Sequence, residues 1–134
     1  MVTEEQRTAL LNAACQIREM AHAPYSHYKV GAAILTGDGR IFSGVNVENA
    51  SYGLSNCAER TAVFSAVTAG AKRILAVAVC TDNAGSPCGA CRQVLAEFGG
   101  DIPVWLTDTA GNVRQTTLHT LIPDHFGPED LPEE

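Results

Sequence analysis

A chain of 134 residues that is 46% hydrophobic and 18% charged has the composition of a folded globular domain, which excludes a disordered or collagen-like chain. Its net charge of −6 argues against non-specific nucleic-acid binding, which needs clustered cations. No apolar run approaches the roughly 18 residues of a membrane span, and Met1–Arg7 lacks the basic and then apolar regions of a secretory leader. One domain over residues 1–134 and a cytoplasmic location are therefore expected.

Thr3 followed by Glu4, Glu5 and Gln6 reads as an N-cap with acids in the first helical turn. Leu10, Ala13, Ala14, Ile17 and Ala21 continue that helix at the spacing of one face, until Pro24 ends it. Residues 29–36 and 41–47 form a predicted hairpin around the Gly37-Asp38-Gly39 turn. Polar loop sequence from Glu48 to Asn56 leads to a helix over 57–69, stopped by Gly70. Residues 74–80 are short and nearly all apolar, as in a strand buried on both faces. The loop Asp82–Pro87 feeds a third helix over 88–98, closed by Gly99-Gly100. A strand over 102–107, a turn over 108–112, a weaker strand from Val113 and a short helical turn over 118–121 follow. The tail from Pro123 to Glu134 should be irregular and exposed. This order predicts an α/β fold: a three-layer α/β/α arrangement with a mixed sheet of about five strands, and a right-handed parallel crossover through the third helix.

Five cysteines, an odd number without a leader, argue against a disulfide framework. Cys15 and Cys80 lie in apolar stretches and read as core packing. Cys57-Ala58-Glu59 and Pro87-Cys88-Gly89-Ala90-Cys91 both fall at predicted helix starts, where unsatisfied amides and the helix dipole favour thiolates. Three thiolates from two helix starts suggest zinc with one coordination position left open, the arrangement of a catalytic site. His22, His27, His119 and His125 are not at ligand spacing and read as surface residues or as neighbours of the site. Glu59 lies about 200° round the helix from Cys57, so it is placed to act as general acid and base toward a water and substrate, not as a ligand. Taken alone it would be a solvated first-turn acid. Three thiolates leave the metal centre negative; Arg60 and Arg92, each directly after a motif, are expected to offset this by hydrogen bonding to sulfur.

These residues match the three-cysteine zinc deaminases with a non-ligand glutamate. More closely, the chain resembles the small, homotetrameric cytidine deaminases of pyrimidine salvage, from about Pro24 to Leu131. The strings that carry this are Pro24-Tyr25-Ser26-His27-Tyr28-Lys29-Val30-Gly31-Ala32-Ala33, Val45-Asn46-Val47-Glu48-Asn49, Cys57-Ala58-Glu59-Arg60-Thr61-Ala62 and Pro87-Cys88-Gly89-Ala90-Cys91-Arg92-Gln93. The resemblance implies that Cys57, Cys88 and Cys91 bind zinc and that Glu59 moves protons. It implies that Asn46 and Glu48 hold the ribose 3′-hydroxyl, that Ala58 offers its backbone to the base, and that Tyr28 stacks near the nucleoside where the family often has phenylalanine. Tyr52 and Phe126 would reach a neighbouring subunit's pocket in a homotetramer; without the family they read as loop packing and a tail anchor. Cys57, where many deaminases have histidine, points away from relatives that edit polynucleotides or tRNA.

The reaction implied is hydrolytic deamination of cytidine and 2′-deoxycytidine to uridine and 2′-deoxyuridine, with release of ammonia and with no nucleic-acid or membrane partner. The alternatives are a deaminase of another aminopyrimidine nucleoside such as blasticidin S, or a non-catalytic zinc module. The last would require a fourth protein ligand to the metal.

Overall fold

The computed structural model describes residues 1–132. Glu133 and Glu134, at the end of the tail expected to be irregular, lie outside the described residues.

Helix α1 (Glu4–Ile17) starts with a reciprocal cap. Gln6 N donates to Thr3 Oγ1 at 3.1 Å and Thr3 N donates to Gln6 Oε1 at 3.0 Å, satisfying two amides that a helix start would leave free. The α-helix ends earlier than Ala21, and Arg18–Met20 forms a 3-10 turn. Tightening there lets the chain leave toward His22, whose amide donates to Asn46 O at 3.0 Å. It also sends the buried Arg18 side chain inward to Lys29 O, Glu19 and Asp82.

Strands β1 (Gly31–Thr36) and β2 (Ile41–Val45) form the expected hairpin, two residues shorter at each open end. The reason is the Asn46 side chain. Its Oδ1 accepts from Val30 N at 2.9 Å and its Nδ2 donates to Tyr28 O at 2.8 Å, so a carboxamide takes the place of ladder hydrogen bonds. Helix α2 (Ala58–Thr68) follows, with Cys57 as its N-cap residue. Gly70, at φ +94°, ends it in a left-handed turn, with Ala71 N donating to Ala66 O. Strand β3 (Ile74–Cys80) has the expected limits. Helix α3 (Gly89–Phe98), strands β4 (Pro103–Thr107) and β5 (Val113–Thr117), and the single turn α4 (Leu118–Leu121) follow, and the tail, expected to be irregular, carries a 3-10 turn at Pro128–Asp130.

The five strands form one mixed sheet in the order β2-β1-β3-β4-β5. Only the β3–β4 pair is parallel, joined by the crossover through α3. Alternation along the strands divides the core in two. Ala33, Leu35, Ala76, Ala78 and Trp105 pack against Leu10 and Ala14 of α1 on one face. Ala32, Ile34, Val77, Val79, Val104 and Leu106 pack against Ala62, Val63 and Ala66 of α2 and Leu95 of α3 on the other. The result is the three-layer α/β/α fold. Small residues let α2 lie very close to the sheet: a Cβ at Gly44 would come within 2.5 Å of Ala62 N and 2.9 Å of Ala58 O. That contact fixes the height of the α2 start above the sheet. No helix among the described residues is long and apolar enough to cross a membrane.

Candidate active site

Ligand sites of open α/β sheets lie beyond the carboxyl ends of the parallel strands, where the chain turns into helices. Here β3 ends at Cys80, α3 starts just after Cys88, and the start of α2 is carried in beside them. Cys57 and Cys88 are the N-cap residues of α2 and α3, and neither makes a side-chain cap hydrogen bond. Both sulfurs are thus turned away from their own helix amides and toward each other. The Sγ atoms of Cys57 and Cys88 are 3.7 Å apart, those of Cys88 and Cys91 3.5 Å, and all three lie within 4.8 Å of one another.

That spacing fits zinc. A tetrahedral ion with Zn–S bonds of about 2.3 Å sets neighbouring sulfurs about 3.8 Å apart. The charges fit as well. Arg60 Nη2 donates to Cys57 Sγ at 3.3 Å, and Arg60 Nε is buried beside the cluster with no conventional partner among the described residues. In the metal-free protein, hydrogen bonds from Cys91 and Arg60 lower the Cys57 thiol to about 5, against the opposing effect of burial. The bond to Cys57 and burial push the Cys91 thiol upward. The neighbouring sulfur and the guanidinium against it thus favour a thiolate at Cys57.

Arg92 does something else. The expected hydrogen bond to sulfur is made by Arg60 and not by Arg92, whose three guanidinium nitrogens each donate elsewhere. Its Nε donates to Pro87 O and Nη1 to Leu121 O, each at 2.7 Å, and Nη2 donates to Ser86 Oγ at 3.0 Å. One residue beyond Cys91, the side chain points about 100° away from the sulfur and back under the loop. It ties the backbone next to Cys88 to α4.

Glu59 is 4% exposed, and burial pushes its carboxyl up to about 7; the Cys57 thiolate adds to this while Arg60 opposes it. With Cys57 and Cys88 it lines a cavity of about 290 Å³. Asn46 and Glu48 line the same cavity although β2 ends at Val45. Bridges from Val47 to His22 and Asn56 keep this segment extended, so residues 46 and 48 share a face. Asn46 is 9% exposed and spends its Oδ1 and one Nδ2 hydrogen on backbone. Glu48 accepts from Tyr25 N at 3.0 Å, Ser26 N at 3.1 Å and the Ser26 hydroxyl; the hydroxyl bond above all holds its carboxyl below the usual range. Tyr28 lines the opening. Ala58 is buried at the first position of α2. Tyr52 (75% exposed) and Phe126 (58% exposed) are not in the cavity wall. Tyr52 meets Tyr25 at 5.8 Å between ring centres and borders an adjoining hollow that shares Ser26, Glu48 and Ser55 with the cavity.

Several wall residues are not singled out by the sequence reading: Val30, Val79, Thr81 and Ser86. Thr81 alone could have been found, as the first polar residue after a buried strand that runs into a helix. Cys15 and Cys80 are free thiols with sulfurs 2.7 Å apart, Cys80 wholly buried and raised to about 12 by burial and by Cys15.

Fold and site together define a metal-binding α/β domain with a trithiol cluster, a buried carboxyl and a cavity sized for a small organic molecule. Residues 4–106 match the family described as cytidine and deoxycytidylate deaminase zinc-binding region. Among curated relatives, the cytidine deaminase of Sporosarcina psychrophila is 52% identical over 117 residues, 85% of this chain and 86% of that protein. The cytidine deaminase of Halalkalibacterium halodurans is 47% identical over 128 residues, 93% of this chain and 97% of the other. The crystal structure of cytidine deaminase from Burkholderia pseudomallei superposes with a TM-score of 0.84 at 54% identity, covering 89% of this chain and 98% of that one. The chain belongs to the cytidine and deoxycytidylate deaminase family, an enzyme family that binds zinc.

Proposed function

We propose that the protein hydrolyses the amino group from cytidine and 2′-deoxycytidine, giving uridine and 2′-deoxyuridine with release of ammonia. The observation that carries this is the buried Glu59 carboxyl opening, together with the three-sulfur cluster, onto one cavity that also presents Asn46 and Glu48. The relatives' names support the substrate class.

Cys57, Cys88 and Cys91 would hold zinc, which when bound supplies a Lewis acid that lowers the pKa of water. Glu59, titrating near neutrality, takes a proton from the attacking water and delivers it to ring N3, which makes C4 electrophilic. After the oxygen has added at C4, the Glu59 carboxylate takes the proton of the new C4 hydroxyl and passes it to the exocyclic amine, so ammonia leaves as the C4 carbonyl forms and the first proton stays on N3. Asn46 and Glu48 bind the ribose 3′-hydroxyl away from the reacting carbon, and that binding orients the base. The Ala58 backbone at the helix start faces the base, and the Tyr28 ring covers it. Arg60 steadies the sulfurs, while Arg92 steadies the loop that presents Cys88.

The exposed Tyr52, Leu54, Phe64 and Val67 support a homotetramer in which Tyr52 and Phe126 complete a neighbouring subunit's pocket. Five free cysteines support a reducing, cytoplasmic location, and the relatives' names support a place in pyrimidine salvage. The test is deamination of cytidine, deoxycytidine and blasticidin S side by side, with zinc measured in the same sample. Zinc-dependent loss of the amino group from the first two is the expected result; a zinc-loaded protein inert toward both would refute the reading.

A further inference from the structure

One wall of the cavity is fastened by a residue that does not itself line it. The segment Thr81–Ser86, between β3 and α3, holds Ala84 at φ +55°, a left-handed conformation that a non-glycine residue keeps only where neighbouring contacts over-determine it. Those contacts are specific. Gly85 N donates to Thr81 Oγ1 at 2.8 Å, Thr81 Oγ1 donates to Asn83 Oδ1 at 3.3 Å, and Arg114 Nη2 donates to Ala84 O at 3.3 Å. Across the cavity mouth, the Tyr28 hydroxyl donates to the same Asn83 Oδ1 at 2.7 Å. The loop meets the ring without a gap: a Cβ at Gly85 would lie 2.5 Å from Tyr28 Oη. Tyr28, Thr81, Gly85, Ser86 and Cys88 all line the cavity, and Asn83 does not.

We propose that Asn83 is a positioning residue for the substrate pocket. Its Oδ1 ties the Tyr28 hydroxyl to Thr81, so that the loop leading to Cys88 and the aromatic ring are held at a fixed separation. A flat heteroaromatic base then meets a wall of loop and ring whose shape is set before binding, and pre-organisation of this kind favours binding over the chemical step. The hydroxyl that distinguishes Tyr28 from phenylalanine is the atom that makes the latch possible. This inference rests on the nucleoside reading given above.

The test is steady-state deamination of cytidine by zinc-loaded variants, with zinc content measured for each. Asn83→Ala and Tyr28→Phe each delete the bond and should raise KM roughly two- to tenfold, with kcat within about twofold. Combined, they should do no more than Asn83→Ala alone, because that variant already removes the bond lost in Tyr28→Phe. Asn83→Asp keeps an acceptor and should restore KM. Gly85→Ala should raise KM by driving the loop off the Tyr28 hydroxyl. Adding Tyr28→Phe to Gly85→Ala should bring KM back to the value of Tyr28→Phe alone, since the next atoms are at 3.4 and 3.6 Å, ordinary contact distances. Independently of turnover, the Gly85 amide should exchange with solvent faster in Asn83→Ala. Unchanged KM in Asn83→Ala, additive single effects, or no recovery in the Gly85 pair would overturn the proposal. A zinc-loaded parent protein inert toward cytidine would instead overturn the nucleoside reading, while Gly85 exchange would still report on the latch.

Discussion

Replacing Glu59 with glutamine keeps the side chain's volume and removes its ability to carry a proton, so the two consequences of its burial can be separated. On zinc-loaded protein, loss of a positioned acid–base group is expected to lower kcat by about 10²- to 10⁴-fold, with KM and zinc content little changed. On metal-free protein the same variant reports the cost of burying the charge. The carboxyl has a reference value of 4.5 and titrates at about 7 in the folded protein, chiefly because of desolvation. The folded state therefore binds the proton more tightly than the unfolded chain does. Stability from the neutral acid is fully present below the unfolded value and is lost as pH rises through the folded one. At about 1.4 kcal/mol per pH unit across that interval, the ionised carboxyl costs about 3 kcal/mol above neutrality. Glu59→Gln should thus be more stable than its parent at about pH 8, and the two should converge near pH 4.5, as read by urea denaturation across pH. Two results would refute the reasoning: turnover within tenfold of the parent in a zinc-replete variant, or a stability difference that does not change with pH.

Other expectations follow from single contacts. Gly44→Ala forces a Cβ to 2.5 Å from Ala62 N and should cost about 1–3 kcal/mol, seen as a lower Tm, while displacing the α2 start and lowering activity. Cys88→Ser should abolish stoichiometric zinc binding and turnover together, measured by metal analysis and deamination assay; retained zinc would remove Cys88 from the ligand set. Arg60→Ala takes away the only guanidinium hydrogen bond to Cys57 given by the described residues, so zinc affinity should fall by about 10- to 100-fold in a chelator competition. Tyr52→Ala should weaken subunit association by light scattering and raise KM in parallel if the side chain completes a neighbouring pocket.

The helices and strands were legible because their signals are local. Thr3 with Gln6, Gly70 after the second helix, and the all-apolar 74–80 segment each state their own role. The sulfur cluster was legible for the same reason: two short motifs at helix starts have few other uses. Strand ends were not. Asn46 shortens the hairpin by lending its carboxamide to Val30 and Tyr28, a contact across 16 and 18 residues that no periodicity encodes. The two arginines were indistinguishable by spacing. Only the packed helix shows that Arg60 reaches sulfur while Arg92 turns to Pro87 and Leu121. Asn83 belongs to a loop whose meaning comes entirely from what faces it.

Cysteines occupy the positions where α2 and α3 would ordinarily carry serine, threonine or aspartate, and neither turns back to its own helix. Each start forgoes a closure usually worth about 0.5–2 kcal/mol, so the bare polypeptide begins both helices with loose amides. Supply of the ion should then govern more than chemistry: a chain made under metal starvation is expected to fray first at the two segments that create its pocket. Its lifetime and its competence should rise and fall together with the cell's free zinc.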